Sequence, residues 1–143
     1  MATNERFMLA SPEAVWDALA DAGSYQYWVV GSKLIRDAEP AWPAAGSKFH
    51  HTIGFGPFTV SDHTVSLEAE RPRLLRLRTK ARPLATAEVT LEMEPQDGGT
   101  RVRMSENPAG ATSLLAVNPF VQLLTRGRNA ESLMRLEELA LRR

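Results

Sequence analysis

The chain has 143 residues and no cysteine, and its 17 Lys and Arg side chains balance 17 Asp and Glu side chains. This length fits one domain that buries a core, or a core with a cavity inside it. Without cysteine, disulfides and thiolate metal sites are excluded. A net charge of zero provides no field to attract nucleic acid or an anionic membrane. No apolar run approaches the roughly 20 residues of a membrane span, and no secretory signal is visible. We therefore expect a cytoplasmic protein that forms a single domain over residues 1–143.

The first third of the chain predicts one strand and two short helices. Residues 5–9 have the pattern of a strand. Ser11 can cap a helix whose first position is Pro12, and Gly23 ends that helix. Residues 24–30 are aromatic-rich and predict a second short helix or a turn.

The middle of the chain alternates apolar and polar residues with a period of two, which is typical of strands. Glycine and proline punctuate this part at short intervals, as antiparallel hairpins require. The predicted strands cover residues 33–38, 47–54, 57–69, 73–80, 85–94 and 100–107.

A helix is predicted for the last part of the chain, because Asn118-Pro119 reads as a cap followed by a first helical position. Its apolar residues form two stripes that do not line up, Phe120, Val121 and Leu124 before Gly127, and Leu133, Leu136 and Ala140 after it. We expect a bend at Gly127, or two halves that pack on different partners. The whole order predicts an α+β fold with helices on one side of a sheet.

Several segments resemble the START-like helix-grip superfamily, and in particular its polyketide cyclase/dehydrase branch. The residues that carry the resemblance lie at 11–19, at 28–31, at 54–57 together with Asp62, at 99–102 and at 128–133. The resemblance covers nearly the whole chain. It implies a curved antiparallel sheet of about seven strands around a long C-terminal helix, with a ligand cavity between them. Because the superfamily includes carriers, receptors, cyclases and hydrolases, it implies no catalytic set.

The side chains that face such a cavity follow from the alternation of each strand. In every strand, we assign the set of alternate residues that is more apolar to the inside. To these we add Tyr27 and Trp28, which the resemblance places at the cavity. An apolar wall with a few polar groups is typical of a small-molecule pocket. The candidate ligand-binding residues are Tyr27, Trp28, Phe49, His51, Ile53, His63, Val65, Leu77, Thr79, Val89, Leu91, Met104, Glu106 and Leu124.

Three of these candidates, His51, His63 and Glu106, have ordinary pKa values below 7. A carboxylate beside a histidine in an apolar pocket could act as a general acid/base pair for cyclisation or dehydration of a polyketone. The alternative interpretation is that they hydrogen-bond backbone or touch water near strand ends, and a bulge could move His63 outside. A metal site would need all three to converge, so we expect no metal and no cofactor.

The stretch from Arg71 to Arg82 is rich in basic residues, which would suit nucleic acid. The outer parity of this strand is basic, with Arg76, Arg78 and Lys80, whereas the outer parity of the next strand is acidic, with Glu88, Glu92 and Glu94. A solvated, mutually neutralising face is therefore the favoured interpretation, with no nucleic-acid partner.

Three functions stay open at this point. The favoured one is a carrier or sensor of a hydrophobic or aromatic small molecule. The second is a cyclase/dehydrase-type enzyme that uses Glu106 with His51 or His63. The third is an interaction module, for example a homodimer, that uses apolar residues such as Leu123, Met134 and Leu141 on the outer helix face.

Overall fold

The computed structural model describes residues 1–55, 57–83, 85–110 and 118–143. Gly56, in the turn that the resemblance singled out, therefore lies outside the described residues. In chain order, the elements are β1 (Ala2–Met8), α1 (Pro12–Ala20), a 3₁₀ turn (Ala22–Ser24), α2 (Tyr25–Trp28), β2 (Ser32–Ala38), β3 (Lys48–Phe55), β4 (Phe58–Glu70), β5 (Leu74–Ala81), β6 (Ala85–Gln96), β7 (Gly99–Pro108) and α3 (Pro119–Ala140).

The seven strands form one antiparallel sheet in the order β1-β7-β6-β5-β4-β3-β2. From β2 to β7 every strand pairs with the next one along the chain, as short connections allow. β1 pairs with β7, so β1 and β2 form the two edges of the sheet. The long α3 packs on β1, α1 and α2. The predicted α+β helix-grip fold is confirmed.

The start of α1 follows from its sequence. The Ser11 hydroxyl accepts a hydrogen bond from the Ala14 N–H at 3.1 Å, and proline fills the first helical position. Val15, Trp16 and Leu19 lie on the buried face of the helix. These three side chains belong to the hydrophobic core, so α1 is held against the rest of the domain by its apolar face.

The N-terminus of α3 is capped by Asn118, whose side chain accepts from the Phe120 N–H at 2.9 Å. The helix continues through Gly127 as a single element, with its first half largely exposed. Leu124, which the sequence placed inside, is 58% exposed. The buried residues of α3 are Asn129, Ser132, Leu133, Leu136 and Ala140.

The inner face of β4 differs from the prediction. Asp62, Thr64 and Ser66 are buried, whereas His63 and Val65 lie on the opposite face. The register explains this, because the β3–β4 hairpin pairs Phe55 with Phe58 and every odd residue of β3 therefore faces an even residue of β4. Directly paired residues share a face of the sheet. Assigning odd parity to both strands was therefore wrong by one residue for β4.

On the outer face of the sheet, charges of opposite sign lie across from each other. Arg78 pairs with Glu88 at 2.5 Å and Arg76 pairs with Glu68 at 3.1 Å. Such exposed pairs contribute little to stability individually. The observed pairs agree with a neutralising outer face.

Candidate functional site

A cavity of about 330 Å³ lies between the inner face of the sheet, α2 and the middle of α3. This volume falls at the small end of the roughly 300–1,000 Å³ that is typical of ligand pockets. Its walls are mainly apolar. They are formed by Tyr25, Trp28, Val29, Val30, Gly31, Ser32, Phe49, His51, Ile53, Gly54, Thr64, Leu77, Thr79, Ala81, Ala85, Ala87, Val89, Met104, Glu106, Arg128, Asn129 and Ser132.

Most of the candidate residues from the sequence line this cavity. They come from α2 and from the inner faces of β3, β5, β6 and β7, where the assigned parity agrees with the structure. The candidates at the cavity are Trp28, Phe49, His51, Ile53, Leu77, Thr79, Val89, Met104 and Glu106.

Five candidates lie elsewhere. His63 and Val65 point to the outer face because of the β4 register. Leu91 is fully buried in the core and does not border the cavity. Tyr27 is 64% exposed on the outside of α2, and Leu124 is exposed on the outer side of α3.

The wall that α3 contributes to the cavity was not predicted from the sequence. Arg128, Asn129 and Ser132 border the cavity. The missed signal is spacing, since Asn129 lies four residues before Leu133 and Ser132 lies four residues before Leu136, on the same face of the helix. An apolar stripe does not identify Asn129 and Ser132, because the buried face of α3 is polar where it meets the cavity.

An aromatic cluster forms one side of the cavity. The ring of Tyr25 lies 4.9 Å from that of Trp28 and 4.8 Å from that of Phe49, measured between centroids. The Tyr25 hydroxyl donates to the Leu19 carbonyl oxygen at 2.9 Å, and burial raises the pKa of this phenol above its ordinary value. This side of the cavity is therefore a neutral surface on which an apolar or aromatic group can pack.

His51 provides a polar but uncharged position beside this cluster, with its ring centroid 5.8 Å from that of Phe49. Its Nε2 lies 2.8 Å from the Lys80 carbonyl oxygen, which can only accept, so Nε2 carries the proton. Burial lowers the pKa of His51 below its ordinary value, which keeps the ring neutral at pH 7. The Thr64 hydroxyl lies 3.3 Å from Nδ1 of His51 and 3.2 Å from Oγ1 of Thr79.

Next to His51, the buried carboxylate of Asp62 joins β4 to the end of β5. It accepts hydrogen bonds from the Arg82 backbone N–H at 2.9 Å, from Arg82 Nε at 3.0 Å and Nη2 at 2.9 Å, and from the His63 backbone N–H at 3.0 Å. Burial by itself raises the pKa of Asp62, but these hydrogen bonds and the Arg82 charge outweigh it and hold the pKa well below its ordinary value. Asp62 is a structural anchor of this end of the cavity.

At the other end of the cavity, Glu106 of β7 faces α3. One carboxylate oxygen accepts from Arg128 Nη2 at 2.5 Å, and the other accepts from Asn129 Nδ2 at 3.3 Å. Asn129 is only 1% exposed, and its side-chain oxygen lies 3.4 Å from Arg128 Nε. The three side chains thus form one hydrogen-bonded group between sheet and helix.

The predicted acid/base pair is not assembled in this structure. Both oxygens of Glu106 bind α3, and His51 binds backbone and Thr64, so the two groups have separate partners. His63 lies on the other face of the sheet, 5.9 Å from His50 between ring centroids. The same placement prevents His51, His63 and Glu106 from converging on a metal.

An open antiparallel sheet that holds a long C-terminal helix over an inner cavity defines the helix-grip class of ligand-binding folds. The family model described as "Polyketide cyclase / dehydrase and lipid transport" matches residues 2–140. The chain belongs to this family. Among the described residues, no helix is long and apolar enough to cross a membrane.

Solved structures show the same fold. Protein NE0264 from Nitrosomonas europaea is 17% identical, with a TM-score of 0.74 over 98% of this chain and 93% of that one. The protein Ara h 8.0201 is 11% identical, with a TM-score of 0.73 over 99% of this chain and 97% of that one. The di-domain ARO/CYC StfQ from the steffimycin biosynthetic pathway is 9% identical, with a TM-score of 0.75 over 98% of this chain and 50% of StfQ. No curated protein sequence matches the chain.

Proposed function

We propose that the protein binds one hydrophobic or aromatic small molecule, lipid-like or polyketide-like, in the cavity between the sheet and α3, as a carrier or sensor. The observation that carries the proposal is the cavity of about 330 Å³ with mainly apolar walls. Burial of apolar ligand surface in such a site is favourable by roughly 25 cal/mol per Å² before the costs of association are subtracted. The description of the family, which includes lipid transport as well as polyketide cyclases, supports this proposal.

The proposal can be tested by filling the cavity. Ala87 lies on the inner face of β6 and borders the cavity, so Ala87→Phe inserts a phenyl ring where a ligand would lie. Ala45→Phe makes the same change in an exposed loop and is the matched control. We expect the neutral fluorescent probe N-phenyl-1-naphthylamine to bind the wild type and the control, and to bind Ala87→Phe at least about tenfold more weakly. Equal affinity in all three proteins would place binding outside this cavity.

The enzyme hypothesis has less support. A general base must lie within hydrogen-bond reach of the proton it removes, and its partner must hold or receive that proton. Glu106 and His51 have separate hydrogen-bond partners, and both serve to hold neighbouring elements together. We therefore propose binding rather than catalysis as the primary activity. Cytoplasmic location and the absence of a nucleic-acid partner stay predictions.

Self-association is a second candidate, because apolar side chains are exposed along one side of α3. They recur at the spacing of a helix face, and comprise Phe120, Leu123, Leu124, Met134 and Leu141. A dimer would cover this side and remove the apolar surface from water. Sedimentation equilibrium should then give twice the chain mass for the wild type and the chain mass for Leu123→Glu. A single chain mass for the wild type at all concentrations would contradict the dimer.

A further inference from the structure

The charges around the cavity balance. Among the lining residues that the structure describes, the charged ones are Glu106 and Arg128, and these two form an ion pair. His51, the remaining titratable group apart from the buried phenol of Tyr25, is neutral for the reason given above. A ligand that enters this cavity therefore meets no uncompensated charge.

This balance determines which head group the cavity can accept. A carboxylate or an ammonium that leaves water for apolar walls pays a large desolvation cost unless it finds a counter-charge. Arg128 could be that partner for a carboxylate, but Glu106 already accepts from its Nη2, and Asn129 holds the other Glu106 oxygen. A ligand anion would therefore have to displace a carboxylate that is fixed from two sides.

A neutral hydroxyl or carbonyl group meets no such obstacle. At the α3 end, Glu106 offers acceptor oxygens, and Arg128 retains guanidinium N–H donors beyond those in its bonds to Glu106 and Asn129. In the sheet, Thr79 offers a hydroxyl. A neutral group that donates and accepts can bind at either place.

The two polar positions are far enough apart to bind opposite parts of one molecule. Glu106 pairs with Val89, which pairs with Leu77, and Thr79 is the next residue on the same face of β5. With about 4.8 Å between strands and about 6.8 Å between same-face neighbours, the Cα atoms of Glu106 and Thr79 lie roughly 12 Å apart.

Building on the proposed function, we propose that the cavity selects uncharged ligands that carry hydroxyl or carbonyl groups, and that the Glu106–Arg128 pair sets this selectivity. The pair neutralises itself and so excludes charged head groups. Asn129 acts as a positioning residue, because it fixes the Glu106 carboxylate against the helix. Breaking the pair from either side should leave one charge uncompensated and should admit a ligand of the opposite sign.

Three probes with one ring system test this selectivity, namely 2-naphthylmethanol, 2-naphthoate and 2-naphthylmethylammonium, each displacing N-phenyl-1-naphthylamine at pH 7.5. We expect the alcohol to bind the wild type at least about tenfold more tightly than either ion, because each ion would lose its hydration without meeting a free counter-charge. Glu106→Gln should then bind the carboxylate about tenfold more tightly than the wild type does, and Arg128→Gln should do the same for the ammonium.

Glu92→Gln and Arg103→Gln remove charges from exposed positions on the outer face and should leave all three affinities unchanged. The selectivity proposal is overturned if either ion binds the wild type as tightly as the alcohol, a result that does not depend on any variant folding. It is also overturned if Glu106→Gln binds the carboxylate, and Arg128→Gln binds the ammonium, no more tightly than the wild type does. If neither the fluorescent probe nor any naphthyl compound binds the wild type, the proposed binding function itself fails.

Discussion

Asp62→Asn should destabilise the protein by removing the acceptor that joins β4 to the start of the β5–β6 connection. The Asp62 side chain is 6% exposed and accepts from two backbone N–H groups, those of His63 and Arg82, as well as from the Arg82 guanidinium. An asparagine of the same shape has one acceptor oxygen, and its NH₂ group would face N–H donors. Of the backbone N–H groups of His63 and Arg82, one therefore loses its acceptor, and the other has a neutral acceptor in place of a charged one.

The magnitude follows from which of these bonds water can replace. The Arg82 side chain is 60% exposed, so its guanidinium can bind water and its loss adds little. Hydrogen bonds to charged groups contribute about 1.5–3 kcal/mol each. Since Asn retains part of one backbone bond, we expect Asp62→Asn to lower the free energy of unfolding by about 2–3 kcal/mol.

Urea denaturation followed by tryptophan fluorescence measures this loss, and its pH dependence adds a second check. Because the pKa of Asp62 is lowered in the folded state, its stabilising effect is present above the unfolded-state pKa of about 3.9 and is lost as the pH falls through the folded-state value. The difference between wild type and variant should therefore shrink by up to about 1.4 kcal/mol per pH unit below pH 4. Asp97→Asn, in an exposed turn, is the matched control. The reasoning is refuted if Asp62→Asn behaves like the control at pH 7, or if its deficit stays constant in acid.

Three further predictions concern the core and the histidines. Leu91→Ala should lower the free energy of unfolding by about 2–5 kcal/mol, because Leu91 is fully buried. The folded variant should bind the fluorescent probe as tightly as the wild type, since Leu91 does not border the cavity. Tenfold weaker binding would contradict this placement of Leu91. Wild-type stability should fall as the pH drops below about 6.5, since burial lowers the pKa of His51 and the unfolded chain takes up its proton first. In His51→Gln, the urea midpoint should fall less than in the wild type between pH 7.5 and pH 5.5. An equal fall in both proteins would count against His51 as the source of this pH dependence. His63→Gln should leave probe affinity unchanged, because His63 lies on the outer face.

The positions of β2 to β7 along the chain could be read from the sequence, because these residues alternate with a period of two and glycine or proline separates the strands. The face of β4 could not be read in the same way. Its odd residues include Val65 and Leu67, which favour the inside, whereas the hairpin register places Asp62 and Thr64 there. Polar residues face inward at this point because they bind one another, as Thr64 does with His51 and Thr79.

The helix wall of the cavity was hidden for a related reason. Apolar periodicity identifies the part of α3 that packs on the core, such as Leu133 and Leu136. It cannot identify Asn129, which is buried because it binds Glu106 of a strand that is distant in sequence. The contact between Asn129 and Glu106 can be identified only when the packing of α3 against β7 is known.

The central claim, that the cavity holds a small molecule, is tested most directly by native mass spectrometry of the purified protein, followed by extraction of whatever it carries. The account predicts one bound molecule per chain, either copurified or taken up from a panel of neutral aromatic and fatty compounds. It also predicts that this adduct is absent from Ala87→Phe and present in Ala45→Phe. A wild-type spectrum that shows the bare chain throughout, with no uptake of any compound in the panel, would contradict it.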